Sequence, residues 1–373
     1  MVKKFDFRMF LSKNIVPIIL VVITAIMMPF CGFSGGYLIQ EVVIRLSRET
    51  FLVLSLLIPI IAGMGINFGL ALGTCAGRIA LILVVNWHIS GAPGMLLAML
   101  ISLPISILLG LFSGYLLNNT KGREMITTMV LSFFIVSLYQ IIVLFGMGKI
   151  IPISDETILL PRGYGIRDTI PLDRVAGSFD KLIDQLTGLR IQIAYIDIPL
   201  FTILVVALLC FLTCWFGRTK LGQEIRAVGQ DMGVSATFGI NVNKTRIISM
   251  IISTVLAGFG QLIYLQNIGV MPVYTGADTV AFYAVFALLA GGATARKAGI
   301  PRVILGTVLF NLVIICGPTA IVRIFGMSTV AEYFRLVFSY SVITLALIKN
   351  AWNTNKERYP ANCGYRKRSA NPY

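Results

Sequence analysis

Apolar residues in this chain come in long, nearly unbroken blocks separated by short polar punctuation, with little of the alternation that marks strands. A helix needs about 20 mostly apolar residues to cross a bilayer. Blocks of that character run Asn14–Cys31, Phe51–Gly65, Asn67–Trp87, Gly94–Leu117, Met125–Met147, Ile198–Phe216, Ile247–Leu265, Thr279–Gly292, Ile300–Gly317 and Tyr333–Ile348, ten in all. The pattern predicts an all-α polytopic membrane protein with about ten transmembrane helices. Phe51–Gly65 and Thr279–Gly292 are short and end at glycines, which predicts tilted, broken or half-helices.

The polar stretches carry their own signals. Lys3, Lys4, Arg8 and Lys13 precede the first block, which is longer than a signal-peptide core and lacks a small-x-small cleavage site, so it reads as an uncleaved first helix. Arg45 to Thr50 reads as a short interfacial segment. The long loop 148–197 places Val175, Phe179, Leu182, Ile183 and Leu186 at helical spacing, with Asp and Lys opposite. That is an amphipathic helix, either a lid packed on the bundle or a docking platform for an outside partner. The loop 217–246 contains "LGQEIRAVG", a short helix stopped by Gly229, then Met232 to Phe238, capped by Asp231 and ended by Gly239 in a left-handed conformation. A two-turn helix is not stable alone, so the membrane surface or a soluble partner must hold it.

Composition agrees. The chain is 57% hydrophobic and 13% charged, against about a quarter charged in soluble domains. The formal net charge of +15 changes meaning once it is placed. With ten spans and both termini cytoplasmic, inner segments hold 20 of the 31 basic residues and 5 of the 16 acids, so the whole +15 falls on one face. This is the positive-inside asymmetry of a membrane protein, and it accounts for the basicity without nucleic acid. Residues 1–348 then form one membrane domain, with the outer loop 148–197 and the cytoplasmic loop 217–246, and 349–373 form a basic cytoplasmic tail.

Catalytic and metal chemistry finds little to use. No phosphate-binding GxxxxGK[ST] and no HExxH occur, His88 is the only histidine, and no CxxC is present among six cysteines. Cys210 and Cys214 share a helix face inside an apolar block and read as small buried hydrophobes. Acids are nearly absent from the blocks, so an intramembrane ion relay lacks its usual groups.

The polar features that remain suggest a solute path. In "GMGINFGLALGTCAG", glycines at Gly63, Gly65, Gly69 and Gly73 mark either close helix packing or an unwound segment lining a path, with Asn67 at the break. Arg78 is the one basic residue well inside a block, facing the bundle interior or snorkelling to a helix end. Thr128, Gln261, Tyr264, Gln266 and Asn267 thin out the apolar pattern. Tyr274, Phe282, Tyr283 and Phe286 offer aromatic surface, or else belong to core and interfacial belt, and Asp278 caps the helix that follows.

One stretch carries a family resemblance. "GQEIRAVGQDMGVSATFGINVNKTR" resembles the cytoplasmic loop of ABC-importer permease subunits of the ribose/galactoside and nucleoside type, through Gly222, Ile225, Arg226, Ala227, Val228, Gly229, Ala236, Gly239, Ile240, Asn241 and Val242. "ALLAGGATARKAGIPRVILGTVLFN" looks like that family's glycine turn, with Gly291, Gly292, Gly299 and Gly306 in register. "REMITTMVLSFFI" is similar to a run of the nucleoside branch through Glu124, Ile126, Thr128 and Leu131. The resemblance spans Phe51 to Ile348 and departs from the family in the long outer loop and in Asn67, which stands where the sugar branch has Asp.

The resemblance implies a dimer of permeases, same or different, whose cytoplasmic loops offer coupling helices to separate ATPases, while an extracytoplasmic binding protein delivers solute. The coupling set would be Glu224, Arg226, Asp231, Met232, Ser235, Ala236, Phe238 and Gly239. The path would include Gly65, Asn67, Gly69, Arg78, Thr128, Gln261, Tyr264, Phe282 and Tyr283. No cofactor or metal is expected on this chain, ATP and Mg being held by a cytoplasmic partner ATPase, and the chain itself is expected in a bacterial inner or plasma membrane. The expected function is import of a nucleoside or simple sugar, with the chain itself not an enzyme. The alternatives are a secondary transporter driven by an ion gradient and, with least to work with, an intramembrane enzyme.

Overall fold

A backbone in lipid must satisfy its own polar groups, so apolar blocks fold as helices. The computed structural model describes residues 15–179, 192–193, 196–197, 200–293, 299–338, 340–341, 344 and 348. Its helices are α1 (Ile15–Cys31), α2 (Gly35–Ser55), α3 (Leu57–Ile61), α4 (Leu70–Asn86), α5 (Gly91–Asn119), α6 (Glu124–Ile141), α7 (Leu200–Phe216), α8 (Lys220–Gln230), α9 (Met232–Thr237), α10 (Val242–Ile268), α11 (Ala277–Ala290) and α12 (Ile300–Phe325). A π-helical turn, Ile142–Gly146, extends α6, and a helical stretch covers 328–338. The chain is mostly helical, as expected, with two small antiparallel ribbons besides. Strand β1 (Thr169–Pro171) pairs with β4 (Val270–Pro272), and β2 (Gln192–Ile193) pairs with β3 (Ile196–Asp197). The first ribbon ties the long loop to the end of α10, with Ile170 opposite Met271.

Among the described residues four helices are long and apolar enough to cross a membrane: α5, α6 with its π turn, α10 and α12. The bent pair α7–α8, which turns through 73°, raises the number to five, and α1, α4 and α11 are shorter apolar helices. The basic start, Arg296 with Lys297, and the basic tail lie outside the described residues, as does the predicted amphipathic helix beyond Phe179.

Two boundaries differ from the sequence pattern for one reason. Arg45 to Thr50 is not an interfacial segment but the middle of α2, and Phe51–Gly65 is not a separate span but the end of α2, a break at Leu56, and α3. The charges of α2 find partners inside the bundle, so the helix continues through them. Arg45 Nε donates to Glu41 Oε1 at 2.8 Å. Arg48 Nη1 donates to Asn267 Oδ1 at 3.1 Å, and Asn311 Nδ2 donates to Glu49 Oε2 at 2.7 Å. Arg48 also lies over the ring of Tyr264.

Helix α10 is the hub, packed chiefly against α5, α4 and α2. Small residues set how closely it is approached, as expected where lipid removes the hydrophobic drive between helices. On α5, Ser102, Ser106, Gly110 and Gly114 recur every fourth residue, and all four are buried. A Cβ at Gly110 would lie 2.3 Å from Thr254 Oγ1, and one at Gly73 of α4 would lie 2.3 Å from Thr254 O. Close packing is therefore the role of Gly73, whereas Gly63 and Gly65 have φ of +75° and +71° and form the unwound link between α3 and α4. The stretch thus combines close packing at Gly73 with unwound backbone at Gly63 and Gly65.

The bundle has two chemically different ends. At one, α8 meets the end of α3 and the link that follows it, α9 packs on α8 and α10, and Asn118 of α5 donates to the Asn243 carbonyl of α10 at 3.0 Å. At the other, the long loop packs on the ends of α4 and α10. Asn86 Oδ1 accepts the Ser154 and Asp155 N–H groups at 2.7 and 3.2 Å, and Gln266 receives Gly177 N–H on its carbonyl and Phe179 N–H on its side chain. Val175 and Phe179 are buried there, so the described part of that loop is a lid on the bundle.

Candidate functional site

The polar loop between α7 and α10 folds by local capping. Thr219 Oγ1 accepts Gly222 N–H at 3.3 Å and starts α8, which runs on through Gly229 to Gln230. The expected stop at Gly229 is corrected by the geometry. A Cβ there would sit 1.9 Å from the Ile61 carbonyl oxygen, and one at Gly63 would sit 2.8 Å from Gly229 Cα. Gly229 is a crossing point, where α8 touches the end of α3 backbone to backbone.

Asp231 then caps α9 as expected, its Oδ1 accepting Val234 N–H at 2.9 Å, and Ser235 Oγ donates to the Asp231 carbonyl at 2.7 Å. Gly239 ends it with φ +79°, the left-handed stop read from sequence. Asn241 Oδ1 accepts Lys244 N–H at 3.1 Å and opens α10. The result is a small capped knob. Ser235 is buried and Met232 half-buried, while Val234, Ala236 and Phe238 face outward, Phe238 at 81% exposure. Arg226 is exposed, and half-buried Glu224 lies 4.0 Å from Lys220 Nζ.

One residue under this knob escaped the sequence reading. Arg246, in the first turns of α10, is 0% exposed. Its Nη2 donates to Glu124 Oε1 at 2.8 Å and to the Leu117 carbonyl at 3.3 Å, and its Nη1 approaches Met232 Sδ at 3.2 Å. One guanidinium thus joins α9 to α10, to the end of α5 and to the first residue of α6. The available signal was a basic residue at a block edge, which looks the same for a buried partner and for a solvated end.

The predicted path residues divide into three places. Asn67 is buried in the α3–α4 link, its Oδ1 accepting Gly69 N–H at 2.8 Å and its Nδ2 lying 3.4 Å from Met250 Sδ. Gly65 in that link is half-buried and Gly69 buried. Phe68 beside it is held by α6, with its N–H on Thr128 Oγ1 at 3.3 Å and its carbonyl accepting from Ser132 Oγ at 2.9 Å. Its ring meets Phe282, centroids 5.4 Å apart, and Phe282 continues through Phe286 to Tyr283 and Phe310. The link, α6 and α11 therefore share one aromatic seam.

Arg78 is the second place. It is buried in α4, and its Nη1 donates to the Pro272 and Thr275 carbonyls, each at 2.8 Å. Backbone carbonyls rather than a carboxylate hold it, fixing the turn before α11. That turn begins the helix with Gly276 at φ +89°, so Asp278 is not the cap expected from sequence. It sits in the first turn, its Oδ1 accepting Thr279 N–H at 2.9 Å.

Gln261 and Tyr264 are the third. Gln261 is fully buried on α10 against Gly77, and neither amide atom has a partner. Tyr264 is half-buried beside Arg48. Arg48, Glu49 and Asn311 line the same region and were missed, because Arg45 to Thr50 read as an interfacial segment and Asn311 lies within an apolar block.

At the loop end, the Asp155 carboxylate accepts from Thr157 Oγ1 at 2.6 Å and Thr157 N–H at 2.9 Å and lies 3.4 Å from His88 Nδ1. The Thr157 hydroxyl bond outweighs the opposing effect of burial and holds its pKa below the ordinary 3.8, with help from His88 and Arg174. Among the described residues no group of His, Cys, Asp and Glu is arranged to hold a metal.

Comparison with known proteins places this arrangement. Residues 38–347 match the family model described as "Branched-chain amino acid transport system / permease component". Over 108 residues the chain is 32% identical to the protein named "Probable branched-chain amino acid transport permease protein LivH" of Methanocaldococcus jannaschii, covering 25% of this chain and 34% of that one. It is 25% identical over 208 residues to the nucleoside ABC transporter permease protein NupB of Lactococcus lactis, covering 52% and 51%. It is 29% identical over 113 residues to the autoinducer 2 import system permease protein LsrC of Klebsiella pneumoniae, covering 30% and 32%. The matched parts thus span about half or less of these curated relatives. No solved structure matches.

Proposed function

The chain belongs to the permease family whose model spans its residues 38–347, a family of multi-pass membrane proteins, and from that premise we propose that it is the membrane subunit of an ATP-driven importer for a small polar solute, a nucleoside or simple sugar. In this reading ATP and Mg are held by a separate cytoplasmic ATPase, a second permease completes the pore, and an extracytoplasmic binding protein delivers solute. The chain crosses the membrane several times, with both termini and the α8–α9 end facing the cytoplasm, a reading supported by the one-sided placement of basic residues.

The observation that carries the reading is the knob itself. A short capped helix presents Phe238 and Val234 at the polar end of a membrane bundle, and its root is pinned to α5, α6 and α10 through Arg246. An exposed aromatic on a rigid mount suits a hydrophobic partner groove. When two ATPases close on ATP, α9 is displaced with them. Arg246 carries that displacement to α5 and α6, and the Gly229–Gly63 crossing carries it to the link before α4. That link bears Asn67 and Phe68 and meets Thr128 and Phe282, so motion at the knob reaches the seam where solute would pass. The choice of solute class follows the nucleoside branch motif and the similarity to NupB.

The test is uptake in proteoliposomes. With the partner ATPase, the binding protein and ATP, labelled nucleoside or sugar accumulates, and omission of ATP or ATPase abolishes accumulation. Uptake by this chain alone on an ion gradient would overturn the assignment.

A further inference from the structure

The elbow between α7 and α8 encloses a cavity of about 330 Å³. Its floor is apolar, built from Leu57, Ile58 and Ile61 of the α3 segment with Phe216, and its rim carries Arg218 and Arg226. Ile300 and Pro301, which open α12, close the far side. Both arginines are exposed, and neither guanidinium makes a hydrogen bond or an ion pair. Arg226 Nη2 nevertheless reaches back to the elbow, within 3.6 Å of where a Cβ on Gly217 would stand. Two cations thus line a greasy crevice with no acid among its described lining residues.

The setting defines the ligand further. Leu204, Leu208, Phe211, Leu212 and Trp215 leave the outer face of α7 apolar and exposed down to the elbow, a surface that suits acyl chains. Trp215, 59% exposed, sits one residue from the cavity wall, and tryptophan is a residue enriched at the headgroup layer. The N-terminus of α12, which has no side-chain cap, adds a positive dipole end. A cavity of this size sits at the low end for small ligands and suits a headgroup rather than a whole lipid.

From these features we infer that the elbow is a binding site for one anionic phospholipid, whose phosphate is held by Arg218 and Arg226 and whose acyl chains run along α7. The site needs only the membrane placement of α7 and its basic inner end, not the identity of the solute. Basic pockets between spanning helices at the cytoplasmic side hold anionic headgroups for the same electrostatic reason. Because its floor is the α3 segment that meets Gly229, the lipid bridges α7, α8, α3 and α12.

Brominated lipids test this on the full chain. With Trp87 and Trp352 replaced by phenylalanine, Trp215 is the sole tryptophan. The protein is reconstituted into phosphatidylcholine vesicles containing either dibrominated phosphatidylglycerol or dibrominated phosphatidylcholine at equal mole fraction. The expected result is an apparent binding constant, read from the Trp215 quenching curves, that is at least about fivefold higher for the anionic lipid, since each arginine near the surface favours it by about that factor. The preference vanishes in the R218Q/R226Q variant, while quenching by the zwitterionic lipid stays unchanged and reports an intact fold. Equal quenching by both lipids, or a preference that survives both substitutions, overturns the proposal. If the double variant does not fold, unlabelled phosphatidylglycerol is titrated into the unsubstituted sites. Relief that saturates near one lipid per chain supports the site, and relief that grows in proportion to dilution overturns it. None of these outcomes bears on the ATP requirement of transport, which is read separately.

Discussion

Arg246 and Glu124, 122 positions apart in the chain, meet at 2.8 Å in a pair from which water is almost wholly excluded. The pair joins the start of α10 to the start of α6 directly beneath the α9 knob. A buried pair is costly to break from one side only, because the survivor is left charged and unpaired. Glu124→Ala is therefore expected to lower stability by about 3–5 kcal/mol, read as a fall in the midpoint of a heat-and-sediment assay in detergent. A double replacement by apolar residues, Glu124→Leu with Arg246→Met, is expected to restore most of that stability but not ATP-driven uptake. Uptake at the unsubstituted level in the double variant would remove the pair from the coupling route.

Gly229 permits no side chain. Gly229→Ala drives a Cβ into the Ile61 carbonyl, 1.9 Å away, and the two backbones must separate. Overpacking of this kind costs about 1–3 kcal/mol. Gly36→Ala, where a Cβ meets nothing within 4 Å, serves as the control and is expected to leave stability unchanged or slightly raised. Equal behaviour of the two variants in the same thermal assay would show that the crossing is not tight.

The knob separates binding from insertion. Phe238→Ser removes the exposed aromatic and is expected to reduce ATPase co-purification by at least about thirtyfold, the effect of losing a hot-spot contact of about 2 kcal/mol. Gly239→Val acts differently, since φ +79° is strained for a β-branched residue, and loosens the end of α9 rather than its face. Both variants are expected to reach the membrane in normal amounts, and undiminished co-purification would contradict the assignment of α9.

Asp155 predicts a pH response at the other end of the bundle. Its folded pKa lies below the ordinary value of 3.8, chiefly through the Thr157 hydroxyl, so the ionised form is favoured on folding. The stabilisation is fully present above that ordinary value and is lost as pH falls from it through the folded value. Amide exchange across 154–158, corrected for intrinsic rates, is expected to accelerate below about pH 4. In Asp155→Asn that acceleration is absent, and exchange is already faster at neutral pH.

What could be read from the chain was whatever is local. Helix bodies follow from apolar blocks, and the Asp231 cap and Gly239 stop follow from residue types whose backbone preferences act within four positions. Long-range satisfaction was not legible. Arg48 and Glu49 look like a polar break until Asn267 is found to accept from the one and Asn311 to donate to the other. Gly229 looks like a helix stop, because the Ile61 carbonyl that demands a glycine is 168 positions away. Asp278 looks like a cap because nothing in sequence says that Gly276 already turns the chain. Among the path residues, Thr128 and Phe282 come together with the Asn67 link, whereas Arg78 and Gln261 occupy separate places, and no spacing rule distinguishes these cases.

The meeting of Gly63 with Gly229 has an evolutionary consequence. A contact made of main chain alone has no side chain to mutate gradually, so drift around it can neither loosen nor retune it. In the proposed reading, residues of the aromatic seam are free to change with the cargo while the stroke that reaches them keeps its length. A lineage with this joint would then acquire new solutes without rebuilding its engine, and a single substitution at the joint would stop all of them alike.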